Sequence, residues 1–171
     1  YEKTIKLGFK NHDTYNVESW LKGKGKLILS NELDKYYNAF VLEQIDYEQV
    51  LSFKKSTVTF LVQPYKHATG EEETESRVLI NQGNTECLPL MTIYGSGSVG
   101  VLVNGIKQCD ITIDGYVTLD GEEEEAYKDN LDNRRNRVMI GKFPVFKPGE
   151  NELSFTGNVT NVKTLVRSRW L

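Results

Sequence analysis

Residues 91–105 read MTIYGSGSVGVLVNG, and the glycines at their centre decide between two fold classes. The segment GSGSVG (residues 95–100) has the glycine spacing of dinucleotide-binding enzymes, in which the last glycines open a helix that faces a pyrophosphate. Here β-branched residues follow the glycines and the turn dipeptide Asn104-Gly105 ends the segment, so no helix of useful length can start there. We therefore predict two strands joined by a glycine-rich loop, and no nucleotide site.

The chain around this stretch, from residue 77 to residue 171, alternates strand patterns with short turns. Asp114-Gly115 is a second dipeptide that supplies the positive φ of a type I′ hairpin, and Pro148-Gly149 marks a further turn. Short strands separated by turns predict an antiparallel β-sandwich over residues 77–171. The predicted strands are Arg77–Asn81, Leu90–Tyr94, Val99–Asn104, Lys107–Ile113, Tyr116–Asp120, Arg137–Gly141, Glu152–Gly157 and Val162–Trp170.

Residues 1–66 predict a smaller β unit with one short helix. Apolar residues at helical spacing over Asp13–Lys22 predict an amphipathic helix with Trp20 on its buried face, and Gly23 is a natural stop. Pro64 is expected to end the last strand because it cannot donate to a ladder. A sheet this small has exposed edges, which we expect to pair with another copy of the chain. The predicted strands are residues 4–10, 26–30, 36–47 and 52–64.

Three charged segments connect or decorate these units. Residues 67–76 (HATGEEETES) are predicted to be a linker or loop, because they are polar and contain no apolar anchor. The acidic run Glu122–Glu125 predicts a surface helix or loop, and the basic cluster Arg134–Arg137 predicts a solvated turn, since nearby acids neutralise it.

The composition is that of an ordinary soluble chain of 171 residues, long enough for one domain or two small ones. Its net charge of −3 does not favour a nucleic-acid partner, and no apolar run approaches the ~18–20 residues that cross a bilayer. Two histidines and two cysteines give no metal-site spacing and little material for a nucleophilic triad. We therefore predict no cofactor, no metal, no catalytic residue and no enzyme activity. Cys87 and Cys109 are either free thiols or one disulfide.

The aromatic residues are the remaining candidates for a functional surface. Trp20, Tyr36, Tyr37 and Trp170 are the residues we single out as a candidate interface. Aromatic side chains also build protein cores and stack against sugars, so core packing and a sugar-stacking surface are the alternatives.

Several stretches, taken in order, resemble the distal tail protein (Dit) family of siphophages. The resemblance covers nearly the whole chain and is strongest over residues 105–171. It rests on the joint order of residues 23–28 (GKGKLI), 34–39 (DKYYNA), 110–116 (DITIDGY), 136–144 (NRVMIGKFP), 147–151 (KPGEN), 155–159 (FTGNV) and 167–171 (RSRWL).

The resemblance implies a structural role without a catalytic centre. Dit proteins form a hexameric ring at the tail tip of a phage or prophage and join the tail tube to the baseplate and its receptor-binding proteins. By this resemblance, residues 1–66 belong to the ring-forming domain, and residues 77–171 are a galectin-like or carbohydrate-module-like sandwich that projects outward. It also implies a location in the virion, after synthesis in the cytoplasm of a bacterial host.

One departure from the family concerns the start of the chain. Family members carry strands ahead of the one that begins near Thr4, so this chain is expected to lack the start of the ring-forming domain. The alternative function is that of a carbohydrate-binding β-sandwich module.

Overall fold

Strands make up most of the structure, a computed structural model that describes residues 1–9, 21, 23–41, 46–50, 53–134 and 136–171. The chain divides into two compact units, Tyr1–Thr69 (unit 1) and Gly70–Leu171 (unit 2). Both consist of antiparallel strands, which confirms the predicted mainly-β fold class. Within the described residues, no helix has the length and apolar content that crossing a bilayer requires.

Unit 1 is an antiparallel sheet with a small apolar core on one face. Its described strands are β1 (Glu2–Phe9), β2 (Gly23–Leu29), β3 (Glu32–Val41), β4 (Asp46–Val50) and β5 (Phe53–Ala68). They are ordered β1-β5-β3-β2, and β4 also pairs with β5. Successive side chains of a strand point to opposite faces, so alternate residues of β3 and β5 enter the core. These are Tyr37, Ala39, Val58, Phe60 and Val62.

Two predictions for unit 1 need correction or lie outside the structure. Pro64 does not end its strand, because β5 continues to Ala68 through a register shift between the Ala39–Val62 and Tyr37–Lys66 pairs. Pro64 lies in this bulge, where its missing N–H removes no ladder hydrogen bond. The predicted helix over residues 13–22 lies outside the described residues except for Leu21, whose side chain packs against the core of unit 1.

Unit 2 is dominated by three long strands. Its described strands are β6 (Val78–Asn81), β7 (Leu90–Val103), β8 (Ile106–Asp120), β9 (Glu125–Lys128), β10 (Asn130–Arg134), β11 (Met139–Gly141), β12 (Gly149–Leu165) and β13 (Arg169–Trp170). The pairing order is β10-β9-β8-β7-β12-β6, and β11 also pairs with β8. The hydrogen-bonded turn Asn104-Gly105 joins β7 to β8 with φ angles of 53° and 74°, which confirms the predicted type I′ hairpin.

The glycine-rich loop predicted inside residues 91–105 is wrong, because β7 runs unbroken through it. Gly95 pairs with Gly115 of β8 on one side and with Val159 of β12 on the other. Gly97, Gly115 and Gly157 have φ angles of 75°, 82° and 86°, which only glycine adopts without cost. The glycines of three neighbouring strands therefore form one line of kinks across the sheet.

The same kinks explain why a second predicted turn, at Asp114-Gly115, is wrong. Asp114-Gly115 is not a hairpin, because β8 continues through it in register with β7. Buried residues on both sides of the kink line, such as Ile93 and Val101 of β7, belong to one apolar core. The bend lets both halves of each long strand cover that core, which gives the predicted sandwich-like arrangement.

The charged segments of unit 2 take several forms. The predicted surface helix or loop at Glu122–Glu125 is a turn that leads directly into β9. In the predicted basic turn, Arg135 lies outside the described residues and Asn136–Val138 form one turn of 3₁₀ helix. The acidic segment after unit 1 is anchored where Thr74 forms an isolated bridge with Thr164 of β12.

Candidate functional site

Tyr36 and Tyr37 lie on opposite faces of the unit 1 sheet, because they are adjacent on β3. Tyr37 is buried, with 5% of its surface exposed, and its ring meets Tyr1 edge to face at 6.1 Å. The Lys3 ammonium lies 4.7 Å from the Tyr37 ring centroid. Burial and the hydrogen bond with Tyr37 raise the pKa of the Tyr1 phenol to about 12. Tyr37 therefore anchors the first residues of the chain to the core.

Tyr36 belongs to the opposite, outer face of the sheet. Its ring stacks on the buried His67 at 5.4 Å, and the Lys26 ammonium lies 4.3 Å from its centroid. The ring is therefore in contact with two other side chains, and the ring face that stacks on His67 is not open to a sugar.

Next to Tyr36, the outer face carries exposed apolar side chains beside lysines. Phe40 of β3 and Leu61 of β5 are cross-strand partners, with 36% and 40% of their surfaces exposed. Lys24 of β2 pairs with Phe40, and Lys26 pairs with Asn38 in the next row. We call Lys24, Lys26, Phe40 and Leu61 the lysine–phenylalanine face. They line a groove of about 600 Å³.

The two outermost strands of the sheet order in unit 1, β1 and β2, are linked by one row of cross-strand partners. Glu2 of β1, Leu61, Phe40 and Lys24 of β2 follow one another as partners in a single row across the sheet. β1 and β2 run antiparallel to each other, since each neighbouring pair in the order is antiparallel. Among the described strands, β1 and β2 each pair with a strand on one side only. The backbone N–H and C=O groups on the other side are therefore available for pairing.

Unit 2 contains an acidic surface that also carries exposed apolar side chains. Val78 and Ile80 of β6 point away from the core, with 52% and 60% of their surfaces exposed. Their partners on β12 are the exposed Glu152 and Glu150. We call these four residues the glutamate–valine face.

Trp170, the last of the predicted interface residues, lies half-buried in β13 of unit 2, whereas Trp20 lies outside the described residues. The structure thus places Tyr36, Tyr37 and Trp170 in three different settings. Sequence reasoning missed the lysine–phenylalanine face because its members come from three strands, and only the register makes them neighbours.

An ion-pair network fixes the end of unit 2. The Arg167 guanidinium donates to both carboxylate oxygens of Asp120, at 2.6 and 3.2 Å, and lies 3.5 Å from Glu122. Glu71 accepts the backbone N–H of Ser168 at 2.9 and 3.1 Å. These contacts attach the final residues to segments far away in sequence. The network has a structural role, since every charge in it faces a protein partner.

Side chains that could hold a metal ion do not cluster in the described part of the chain. No group of three His, Cys, Asp or Glu residues there is placed to hold a metal ion. Cys87 and Cys109 are free and buried, so the disulfide alternative is wrong. Burial raises the pKa of Cys87 to about 12 and that of Cys109 to about 11. A thiol held in its protonated form is a poor nucleophile.

We therefore expect neither cysteine to react with an aromatic disulfide reagent near neutral pH while the chain is folded. In a denaturant both thiols are expected to react at once, because burial is what protects them. Absorbance of the released thiolate measures both rates. Rapid reaction of either cysteine in the native protein would contradict the buried positions.

The comparisons with known proteins give a likeness in structure only. No family model matches the sequence, and no curated protein matches it. The fold is similar to the crystal structure of the Dit (gp 19.1) protein of phage SPP1, with a TM-score of 0.72 and 15% sequence identity. The match covers 99% of this chain and 79% of the SPP1 protein. That protein is described as a paradigm of the hub adsorption apparatus in phages that infect Gram-positive bacteria.

Proposed function

We propose that this chain is a structural subunit of a phage or prophage tail tip, in which it joins the tail tube to the receptor-binding apparatus. The observation that carries the proposal is the likeness of the fold to the SPP1 Dit protein over 99% of the chain. The resemblance of the sequence to the Dit family points to the same role. The protein would be located in the virion, and its partners would be tail tube and baseplate proteins.

In this proposal, residues 1–66 of several copies of the chain build a ring, and residues 77–171 form a sandwich that projects outward. Residues 67–76 connect these two parts. The outermost strands of unit 1 support self-association. Pairing β1 of one copy with β2 of the next would continue an antiparallel sheet. A head-to-tail contact of this kind closes into a ring when the rotation per copy allows it. The predicted interface residues Trp20, Tyr36, Tyr37 and Trp170 remain proposals for contacts with neighbours.

The backbone of β1 provides a sharp test. Tyr1 and Val62 exchange both backbone hydrogen bonds, at 2.8 and 2.9 Å, so odd residues of β1 face β5 and even residues face the free side. Thr4→Pro therefore removes an N–H from the free side and leaves the ladder with β5 intact. Thr4→Ala keeps that N–H and is the matched control.

We expect the wild-type chain and Thr4→Ala to form the same ring, of six copies by the family resemblance, and Thr4→Pro to be monomeric. Light scattering gives the mass, and negative-stain microscopy shows whether rings close. Equal far-ultraviolet circular dichroism spectra of the two variants check that both fold. A wild-type chain that stays monomeric at high concentration would contradict ring assembly by this chain.

A further inference from the structure

We propose that neighbouring copies of this chain also meet through a charged side-chain contact, in which the lysine–phenylalanine face of one copy binds the glutamate–valine face of another. The inference rests on the proposed self-association and names a second surface that would hold the copies together. It concerns side chains, whereas the β1–β2 contact concerns backbone groups. The two contacts can therefore be removed separately.

The lysine side of the contact is a pair of cations on one strand. Lys24 and Lys26 are two positions apart on β2 and point to the same exposed face, which separates their side chains by roughly 7 Å. The position of the Lys26 ammonium over the Tyr36 ring holds one of the two charges in place. Phe40 is the cross-strand partner of Lys24, Leu61 follows Phe40 in the same row, and the two apolar side chains are exposed to a similar degree. The face thus combines apolar area with two charges of one sign.

The glutamate side has two charges of the opposite sign, each with an exposed apolar residue as its cross-strand partner. Glu150 and Glu152 are two positions apart on β12 and share one exposed face, so their Cβ atoms are separated by roughly 7 Å along the strand. Val78 and Ile80 occupy the neighbouring strand at matching positions. Neither glutamate has an ion-pair partner within the described residues.

The backbone of β6 shows why this contact would use side chains. The Ser76 hydroxyl donates to the carbonyl of Val78 at 2.7 Å and accepts the N–H of Val78 at 3.2 Å. These are the groups that an added strand would need at this edge. Ser76 therefore blocks strand addition at Val78 and leaves the apolar side chains of β6 exposed.

Charge complementarity points to a second copy as the occupant. Each face has two like charges two positions apart on one strand and two exposed apolar side chains, and the charges of the two faces are opposite, so the faces form the two halves of one interface. Both halves lie on the same chain, so every copy offers one to each neighbour. Such a contact is head-to-tail, which is the type that builds rings.

The test uses charge reversal in the full chain. The first variant carries Lys24→Glu and Lys26→Glu, and the second carries Glu150→Lys and Glu152→Lys. In either variant alone the two faces have like charges, so we expect self-association to weaken roughly tenfold or more. A one-to-one mixture of the two variants, and the chain with all four changes, restore opposite charges and are expected to associate as the wild type does. Sedimentation over a dilution series measures the dissociation constants.

The control reverses two exposed lysines elsewhere, Lys142→Glu with Lys147→Glu, and is expected to leave the dissociation constant unchanged. If the single-face variants weaken association but neither the mixture nor the fourfold variant restores it, the two faces do not bind each other and the proposal is overturned. If the single-face variants associate as the wild type does while Thr4→Pro is monomeric, the ring proposal stands and the contact between the two faces is overturned. Restoration in the mixture supports the contact, because only paired faces regain opposite charges there.

Discussion

Gly95→Ala is expected to destabilise the chain by about 3 kcal/mol, and to lower its melting temperature by roughly 10 °C or more. An added Cβ at Gly95 would lie well inside 3.0 Å of the Asn158 carbonyl oxygen, and no flexible side-chain end is there to move aside. The backbones of β7 and β12 would have to separate, which would disturb the core on both sides of the kink line. Thermal unfolding followed by circular dichroism measures the change.

Gly105→Ala is the matched control for this result. Gly105 has a positive φ of 74°, but no atom lies within 4 Å of the position that its Cβ would occupy. Gly105→Ala is therefore expected to destabilise the chain through backbone strain alone, by about 1 kcal/mol. Gly157→Ala combines both effects, because its φ is 86° and its Cβ would meet the Ser98 carbonyl oxygen. Equal losses of stability for Gly95→Ala and Gly105→Ala would show that the close approach of β12 to Gly95 does not determine the cost of a side chain there.

These glycines also show how far the sequence predicts the fold. The Asn104-Gly105 turn is a local property, since two neighbouring residues supply both positive φ angles, and its prediction is confirmed. Asp114-Gly115 has the same local chemistry but lies inside a strand, because its partners on β7 continue the ladder past it. A kink and a turn differ only in what pairs with the residues on either side. That information is in the register and not in the dipeptide.

The candidate surfaces also combine features that the local sequence predicts with features that depend on strand register. Period-two alternation places Tyr36 and Tyr37 on opposite faces of one strand, so their different roles are open to sequence reasoning. The proximity of Phe40 to Lys24 and Leu61 depends on the order β5-β3-β2, which alternation does not specify. The Asp120–Arg167 pair joins residues separated by 47 positions, and no spacing pattern in the sequence links the two.

Asp120→Asn is expected to destabilise the chain by about 3 kcal/mol at neutral pH. The side chains of Asp120 and Arg167 are only 9% and 19% exposed, so the substitution would leave a largely buried guanidinium without its main counter-charge. Asp120 also accepts the backbone N–H groups of Glu122 and Glu123, at 3.0 and 3.3 Å, and its loss weakens that turn. Glu122→Gln is the matched control and is expected to change stability by less than about 1 kcal/mol, because the 3.5 Å contact with Arg167 is loose.

The two carboxylates respond to pH in opposite directions. Burial alone would raise the pKa of Asp120, but the hydrogen bond and charge of Arg167 outweigh it and hold that pKa below its usual range. The stability that Asp120 contributes is thus complete above its ordinary pKa of about 4 and is lost as the pH falls through the lower folded value. Burial raises the pKa of Glu122, so its contribution is present at low pH and is lost as the pH rises through the folded value. Urea unfolding at several pH values should therefore show the wild-type advantage over Asp120→Asn shrinking below about pH 4. An advantage that stays constant down to that range would mean that the charge of Asp120 does not stabilise the fold.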